Sequence, residues 1–278
     1  MFAECFAWLG CYVFKYRKEV VFNNLSNSFP HKSRKETRQI TRNFYRHFFQ
    51  IIFEVLKSKG FQKSDWHKHV RVKNPEVMQT FLDQGKSVIL MTGHIANWEW
   101  SAGGINAAFD QDLAVLYKKI KGTAFAKVMG SIRQQGGVKL VEKDSALRYM
   151  VKTKDEQQII GIISDQIPSI GAEKYWMHFL AQETAFYRGA EKFSRMLKTP
   201  VVYVDMRKIK PGVYELVLKE IYNGVDEIEE GRITKKYSEF LEETIQAKPS
   251  DYLWSHRRWK YTKEEASKAT GKPFVFID

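Results

Sequence analysis

Four short apolar runs, separated by stretches of helical character, constrain the fold of this chain more than any other feature. The runs lie at residues 87–91, 159–163, 200–204 and 213–217. Apolar runs of this length, bounded by glycine or polar residues, are typical of buried strands. Helical patterns occur at residues 98–108, 124–135, 146–152 and 189–197. Strands that alternate with helices predict an α/β fold with a mixed, mostly parallel sheet flanked by helices.

Residues 1–62 have a different character and are predicted to be helical. Pro30 interrupts this region, and Ser33 with Glu36 forms a capping-box pattern that begins a new helix. These features predict an N-terminal helical hairpin. We therefore divide the chain into a membrane-proximal helical region at 1–62 and an α/β domain at 63–278, which are expected to form one continuous domain.

The beginning of the chain, residues 1–14, is almost wholly apolar, and Lys15, Arg17 and Lys18 follow directly. A helix needs about 20 residues to cross a bilayer, so this segment is too short to span one. We expect an interfacial anchor, the end of a longer membrane helix, or a buried amphipathic helix. If the segment inserts, the basic residues after it favour the cytoplasmic face for everything downstream.

The charge of the chain indicates an anionic partner. The sequence has 45 Lys and Arg residues against 32 Asp and Glu, which gives a net charge of +13. A lipid surface, an acidic protein or a nucleic acid would each fit this excess. No nucleic acid is expected, because the sequence has no recognition motif and no dense basic helix with stacking aromatics. The two cysteines, Cys5 and Cys11, are too few for a disulfide framework or a zinc ribbon.

The motifs of several large enzyme classes are missing from the sequence. Without GxSxG, a P-loop, GxGxxG or HExxH, the serine hydrolases, NTPases, nicotinamide enzymes and zincins are disfavoured. A histidine followed five positions later by an acid does occur, at His31/Glu36, His94/Glu99 and His178/Glu183. His31 begins a charged helix, where solvation is the default, and His178 lies in an aromatic run, where packing or substrate contact is expected.

His94 has the most suggestive context of the three, because it directly follows a buried strand, after Gly93 and before a helix. In α/β sheets, chemistry gathers where the strands end at their carboxyl edge. Positions five apart lie about 140° out of alignment on a helix, so His94 is predicted in the loop, with Glu99 reaching back from the helix. Such a carboxylate can orient an imidazole that acts as general base on a hydroxyl. A purely structural histidine is the alternative reading.

Two further clusters are weaker. Asp165 and Gln166 follow the second buried run and could line the same edge or cap a turn. His67 and His69 could hold a metal if both lay on one strand face, but two ligands do not make a site. No metal is therefore expected.

Several ordered blocks give the sequence a family resemblance. The segment MTGHIANWE, residues 91–99, resembles the first motif of the bacterial lipid A late acyltransferases, within the lysophospholipid acyltransferase-like superfamily. Further blocks that resemble this family, in order, lie at residues 21–30, 117–118, 133–137, 164–166, 179–184, 188–189, 200–202 and 252–260. Together they cover the chain from about residue 12 to residue 261.

The resemblance implies a glycerolipid acyltransferase-like fold and an enzyme at the cytoplasmic face of the inner membrane. It implies acyl carrier protein as the donor and a hydroxyl of a lipid A precursor as the acceptor, with His94 as general base and Glu99 as its partner. No metal or cofactor is implied, because the acyl carrier protein brings its own phosphopantetheine. An acidic donor protein and a phosphorylated glycolipid both suit the charge of +13.

The resemblance also assigns residues to the substrate pocket, namely Lys118, Arg133, Asp165, Gln166 and Arg188. Further cationic candidates for substrate contact are Lys119, Lys121 and Arg195. A solvated surface role is the default for any one of these cations.

Two departures and two alternatives accompany this interpretation. The apolar N-terminal segment is shorter than in many family members, and Phe179-Leu180-Ala181 lacks the glycine expected after the aromatic residue. A lysophospholipid or aminolipid acceptor would use the same base and donor. A basic membrane-binding module on a catalytically dead fold is the remaining alternative, although such a protein should have lost the His94/Glu99 pair.

Overall fold

The computed structural model describes residues 15–117, 130, 132–133 and 137–278. The apolar segment 1–14, Lys118, Lys119, Lys121 and most of the predicted helix 124–135 lie outside the described residues. None of the helices in the described part of the chain is both long and apolar enough to span a membrane.

The described chain contains helices and strands in alternation after an all-helical start. The helices are α1 Lys18–Ser28, α2 Arg34–Lys57, α3 Lys63–His69, α4 Glu76–Asp83, α5 Trp98–Ala108, α6 Ala146–Lys152, α7 Gly189–Leu197, α8 Arg232–Ala247 and α9 Lys263–Thr270. The strands are β1 Val70–Val72, β2 Val88–Thr92, β3 Asp112–Tyr117, β4 Lys139–Glu142, β5 Gln158–Ile163, β6 Lys174–Phe179, β7 Gln182–Tyr187, β8 Val201–Lys210, β9 Val213–Tyr222 and β10 Val275–Phe276.

These elements form two compact units. The described parts of residues 1–52, 164–189 and 228–278 make one unit, and those of residues 53–163 and 190–227 make the other. We call them the hairpin unit and the sheet unit. The predicted division after residue 62 stays a prediction.

The sheet unit is built on seven strands in the order β1-β9-β8-β2-β5-β3-β4. Every neighbouring pair is parallel except β8 and β9, which form an antiparallel hairpin. This confirms the predicted mixed, mostly parallel sheet. Strand β2 is buried at every position, between β8 and β5, and its last residue, Thr92, pairs with Ile163 at the end of β5. The carboxyl ends of both strands therefore lie at the same edge of the sheet.

Helix α5 packs closely on α3 and β1 because two of its residues are glycines. A Cβ atom added at Gly103 would lie 2.5 Å from Cε2 of Trp66, and one at Gly104 would lie 2.3 Å from Cγ1 of Val70. Carbon atoms do not approach this closely, so any side chain here would push the helix away from the sheet. The two glycines thus help to set the position of α5.

The hairpin unit begins with α1 and with α2 as far as Ile52, which form the predicted N-terminal helical hairpin, and the last turn of α2 belongs to the sheet unit. The capping box that begins α2 is present, since Glu36 accepts from the backbone N–H of Ser33 at 2.8 Å and the Ser33 hydroxyl accepts from Glu36 N–H. Tyr45 of α2 donates its hydroxyl to the carbonyl of Tyr16 at 2.5 Å, and the Tyr16 ring stacks on Phe48. These contacts hold the residues just before α1 against α2.

A three-stranded sheet, in the order β10-β6-β7, completes the hairpin unit. Strands β6 and β7 are joined by a two-residue turn at Leu180 and Ala181, with φ values of 50° and 58°. Positive φ at both positions is the geometry of a tight hairpin turn that favours glycine or asparagine. Leu180 is buried, which explains an apolar side chain there despite the backbone conformation.

Candidate active site

The loop between β2 and α5 presents the residues singled out from the sequence. β2 ends at Thr92, His94 lies in the loop, and α5 begins at Trp98, so that Glu99 belongs to the first turn of the helix. This is the arrangement predicted from their spacing. The loop includes Ala96 at φ 49°, in the left-handed region that costs an alanine about 1–2 kcal/mol. Such strain persists only where the surroundings hold the backbone in place.

Glu99 is held by a bidentate interaction with Arg133. Arg133 donates from Nε to Oε2 at 2.7 Å and from Nη2 to Oε1 at 2.5 Å. The indole Nε1 of Trp98 donates to Oε1 at 3.1 Å. The side chain of Glu99 is 11% exposed, and a helix N-terminus favours a negative charge. The carboxylate is therefore held in one orientation by three donors.

Electrostatics around Arg133 favour its charged form. Burial alone would lower the pKa of the guanidinium, but the hydrogen bonds and the charge of Glu99 outweigh it, and the pKa lies above its ordinary value. Forked guanidinium–carboxylate pairs are among the stronger charge-assisted interactions in proteins. Arg133 is accordingly a fixed cation in this site.

His94 is linked to this pair through Trp98. The two rings make an edge-on contact with centroids 5.2 Å apart. An ionised carboxylate offers about four acceptor positions, and Arg133 and Trp98 use three of those on Glu99. Glu99 can therefore also accept a hydrogen bond from an imidazole. The direct pairing of His94 with Glu99 stays a prediction.

Glu54 is a residue of this loop's environment that sequence analysis missed. It lies near the end of α2, 8% exposed, and accepts a hydrogen bond from Nδ2 of Asn97 at 2.9 Å. Asn97 is fully buried between His94 and Glu99. The available signal was an acid inside the apolar run IIFEVL, residues 51–56, since a carboxylate in such a run is rarely buried without partners.

Asp165 belongs to the hairpin unit, in a buried group with Tyr252 and Arg258. Burial and the charge of Asp165, which hydrogen bonds to Tyr252, raise the pKa of the Tyr252 hydroxyl well above its ordinary value. Arg258 is 1% exposed and donates from Nη2 to the carbonyl of Ala185 at 2.6 Å. Tyr252 and Arg258 lie in the block at 252–260, in which neither residue was predicted to have a role.

Arg188 also has partners within the hairpin unit. Its guanidinium lies 4.6 Å from the ring centroid of Tyr175 and forms an ion pair with Glu230. Burial alone would lower the pKa of the Arg188 guanidinium. The charge of Tyr175, a hydrogen bond with Tyr175 and the charge of Glu230 outweigh burial, so the pKa lies above its ordinary value. Gln166 is half-buried in the same unit.

The structure thus brings together His94, Glu99 and Arg133 in the sheet unit, whereas Asp165, Gln166 and Arg188 belong to the hairpin unit. Lys118 lies outside the described residues, and Arg195 is exposed on α7.

The structure also places three other histidines that the sequence singled out. His178 is exposed and packs edge-on against Phe276, as the aromatic context suggested. His67 and His69 lie on helix α3 rather than on a strand. Nδ1 of His69 lies 2.5 Å from the carbonyl of Gly212, and within the described residues no group of three or more potential metal ligands is found.

Comparison with known families decides the identity. A family model described as bacterial lipid A biosynthesis acyltransferase matches residues 1–261. The chain belongs to this family. It is therefore an acyltransferase of lipid A biosynthesis, and the matched region includes His94, Glu99, Arg133 and the block at 252–260. No curated protein matches the chain. Helix α9 and strand β10 follow the matched region.

Proposed function

We propose that the enzyme transfers a fatty acyl chain from an acyl carrier protein thioester to a hydroxyl of a lipid A precursor, with His94 as general base. The observation that supports this best is the arrangement of Arg133, Glu99 and Trp98 beside His94. A carboxylate fixed by a guanidinium can orient an imidazole and stabilise the imidazolium that forms. The placement of His94 at the carboxyl edge of β2 agrees with general-base chemistry.

The reaction needs a base and a site for developing negative charge. His94 takes the proton of the acceptor hydroxyl, and the oxygen forms a bond to the thioester carbonyl carbon. The tetrahedral intermediate then breaks its C–S bond, and the imidazolium returns the proton to the leaving thiolate. The new ester and the free thiol of the carrier are the products. A thioester is already activated, so the proposed reaction requires no metal or further cofactor.

The charge of the chain supports the proposed partners. A net charge of +13 favours encounter with an acidic carrier protein and with the phosphates of a lipid A precursor. Attraction to an anionic membrane surface follows from the same excess, and Lys15, Arg17 and Lys18 after the apolar N-terminal segment favour a cytoplasmic location. We accordingly propose that the enzyme acts at the cytoplasmic face of the inner membrane.

The test is product formation by membranes that contain the enzyme, supplied with acyl carrier protein thioesters of several chain lengths and an under-acylated lipid A precursor. We expect mass spectrometry to show one added acyl chain. His94→Ala should lower the rate by about 10²- to 10⁴-fold, the usual contribution of a general base. His178→Ala is the matched control, since His178 has an acid at the same spacing, and it should keep full activity.

Each other result corrects a specific part of the proposal. A precursor that stays unmodified while a lysophospholipid or an aminolipid gains the chain would overturn the acceptor. Activity with acyl-coenzyme A but not with the carrier thioester would overturn the donor. If His94→Ala is as active as wild type, His94 is not the base.

A further inference from the structure

Glu54 connects the loop that carries His94 to the β8–β9 hairpin. Its Oε2 accepts from Nδ2 of Asn97 at 2.9 Å and from the hydroxyl of Tyr214 at 2.6 Å, and its Oε1 accepts from the backbone N–H of Gly212 at 2.8 Å. All of these residues belong to the sheet unit. A buried carboxylate with several donors is fixed in direction, because each donor constrains the plane of the group.

Asn97 depends on Glu54 for its side-chain position. The residue is fully buried, and within the described part of the chain its Oδ1 has no hydrogen-bond partner, so the contact to Glu54 is the polar anchor of the amide. Asn97 directly follows the strained Ala96, and its carbonyl accepts from Trp100 N–H at 2.9 Å at the start of α5. A residue in this position controls the path of the loop between His94 and Glu99.

The side of Glu54 away from the loop contacts the β8–β9 hairpin. Tyr214 lies within β9, and Gly212 is held from a second direction by His69, whose Nδ1 lies 2.5 Å from its carbonyl. The His69 ring stacks on Phe61 with centroids 4.9 Å apart. Glu54 therefore joins a strained loop to a well-packed part of the sheet.

We propose that Glu54 is a positioning residue for the reaction: through Asn97 it holds the loop so that His94 and Glu99 keep their relative placement. This inference rests on the proposed role of His94. Glu54 lies outside every block that carries the family resemblance. Loss of the contact should lower kcat and leave KM nearly unchanged, because the reacting groups are misplaced while the binding surface is kept.

A reciprocal exchange of amide and carboxylate tests the contact. Asn97→Asp sets two carboxylates against each other, and kcat should fall about 100-fold, as a misplacement of about 1 Å can cause. Adding Glu54→Gln restores a donor–acceptor pair with the direction reversed, since the new amide can donate to the new carboxylate. The Tyr214 hydroxyl can accept as well as donate, so it can also pair with the new amide of the double variant. The double variant should therefore have a kcat at least tenfold above that of Asn97→Asp, and KM should stay within about twofold of the wild-type value in both variants.

The control is Asn74→Ala. Asn74 also binds to β9, through hydrogen bonds of 2.8 and 2.9 Å with the backbone of Leu218. It is not one of the residues that contact Glu54. Asn74→Ala should lower the midpoint temperature of thermal unfolding and leave kcat unchanged. If Asn97→Asp does not fold, Tyr214→Phe is the milder variant, because it removes one donor to Glu54 and should lower kcat about threefold to tenfold.

The inference is overturned if folded Asn97→Asp keeps the wild-type kcat, if Glu54→Gln fails to rescue it, or if Asn74→Ala lowers kcat equally. It is also overturned if Tyr214→Phe, used in place of an unfolded Asn97→Asp, has the wild-type kcat. His94→Ala, measured in the same assay, separates this failure from that of the proposed function. If His94→Ala is inactive and the exchange has no effect, only the positioning role is wrong. An active His94→Ala removes the basis of both.

Discussion

Arg133 donates two hydrogen bonds to the carboxylate of Glu99, from Nε at 2.7 Å and from Nη2 at 2.5 Å. The two residues are 34 positions apart and meet beside the loop that carries His94. A fixed carboxylate next to a candidate base is more informative about function than the His-x4-Glu spacing alone, which occurs three times in this chain. The contacts of Glu99 can be changed one at a time.

Arg133→Lys tests the forked interaction. Lysine keeps the charge but does not supply two parallel N–H donors to one carboxylate. We expect kcat to fall about 10- to 100-fold, the equivalent of about 1.5–3 kcal/mol for hydrogen bonds to a charged group. Steady-state kinetics measure the change in kcat. The control is Arg232→Lys, which alters an exposed ion pair between Arg232 and Glu229 and should leave kcat unchanged. An unchanged kcat in Arg133→Lys would show that catalysis does not depend on the bidentate interaction between Arg133 and Glu99.

Trp98→Phe separates the two contacts of Trp98. The variant keeps a ring against His94 but loses the indole donor to Glu99. A hydrogen bond to a charged group is worth about 1.5–3 kcal/mol, so kcat should fall about 10- to 100-fold. Trp98→Ala loses the ring as well and should be clearly slower. Equal rates for the two variants would mean that ring packing on His94 contributes nothing measurable.

Asp165→Asn distinguishes a binding role from a structural one. The family resemblance assigns Asp165 to the substrate pocket, yet the residue is 2% exposed and lies with Tyr252 and the buried cation of Arg258. Removing the negative charge leaves Arg258 poorly compensated, so urea denaturation should show a loss of about 3–5 kcal/mol in the free energy of unfolding. A variant that is fully stable but has a raised KM would instead support the pocket assignment.

Ala181→Gly should stabilise the protein. Ala181 is exposed at φ 58°, where glycine avoids a cost of about 1–2 kcal/mol but adds freedom to the unfolded chain. The expected net gain is about 0.5–1 kcal/mol in thermal or urea unfolding. Leu180→Gly, at φ 50° in the same turn, should instead destabilise by about 2–5 kcal/mol, because Leu180 is 1% exposed and fills the core. A loss of stability in Ala181→Gly would contradict this account of the turn.

Local pattern was sufficient for those elements whose stability comes from their own apolar periodicity. The predicted helices at 98–108, 146–152 and 189–197 match α5, α6 and α7, and the capping box at Ser33 begins α2 as expected. The apolar runs became β2 and β5, while β8 and β9 extend further than predicted, to Lys210 and Tyr222. Polar outer residues of that hairpin break the apolar run but still pair in the ladder, with register shifts between Val201 and Val202 and between Lys208 and Lys210.

Elements that depend on distant partners were not anticipated. Strands β6 and β7 turn through Leu180 and Ala181 without a glycine or asparagine signal, so the usual mark of a hairpin is missing. Strands β3 and β4 also went unpredicted; β4 is only four residues long and pairs at the edge of the sheet. Most of the predicted helix 124–135 lies outside the described residues.

The sequence by itself determined the α/β class, the positions of the main strands along the chain and the placement of His94 and Glu99 at the carboxyl end of β2. These follow from periodicity and from residues a few positions apart. Only the tertiary structure decided that Arg133 holds Glu99 and that Glu54 holds Asn97, across 34 and 43 positions of the chain. The physical reason is that hydrogen bonds act over about 3 Å, and nothing in local spacing specifies which distant polar groups the packed core will bring that close.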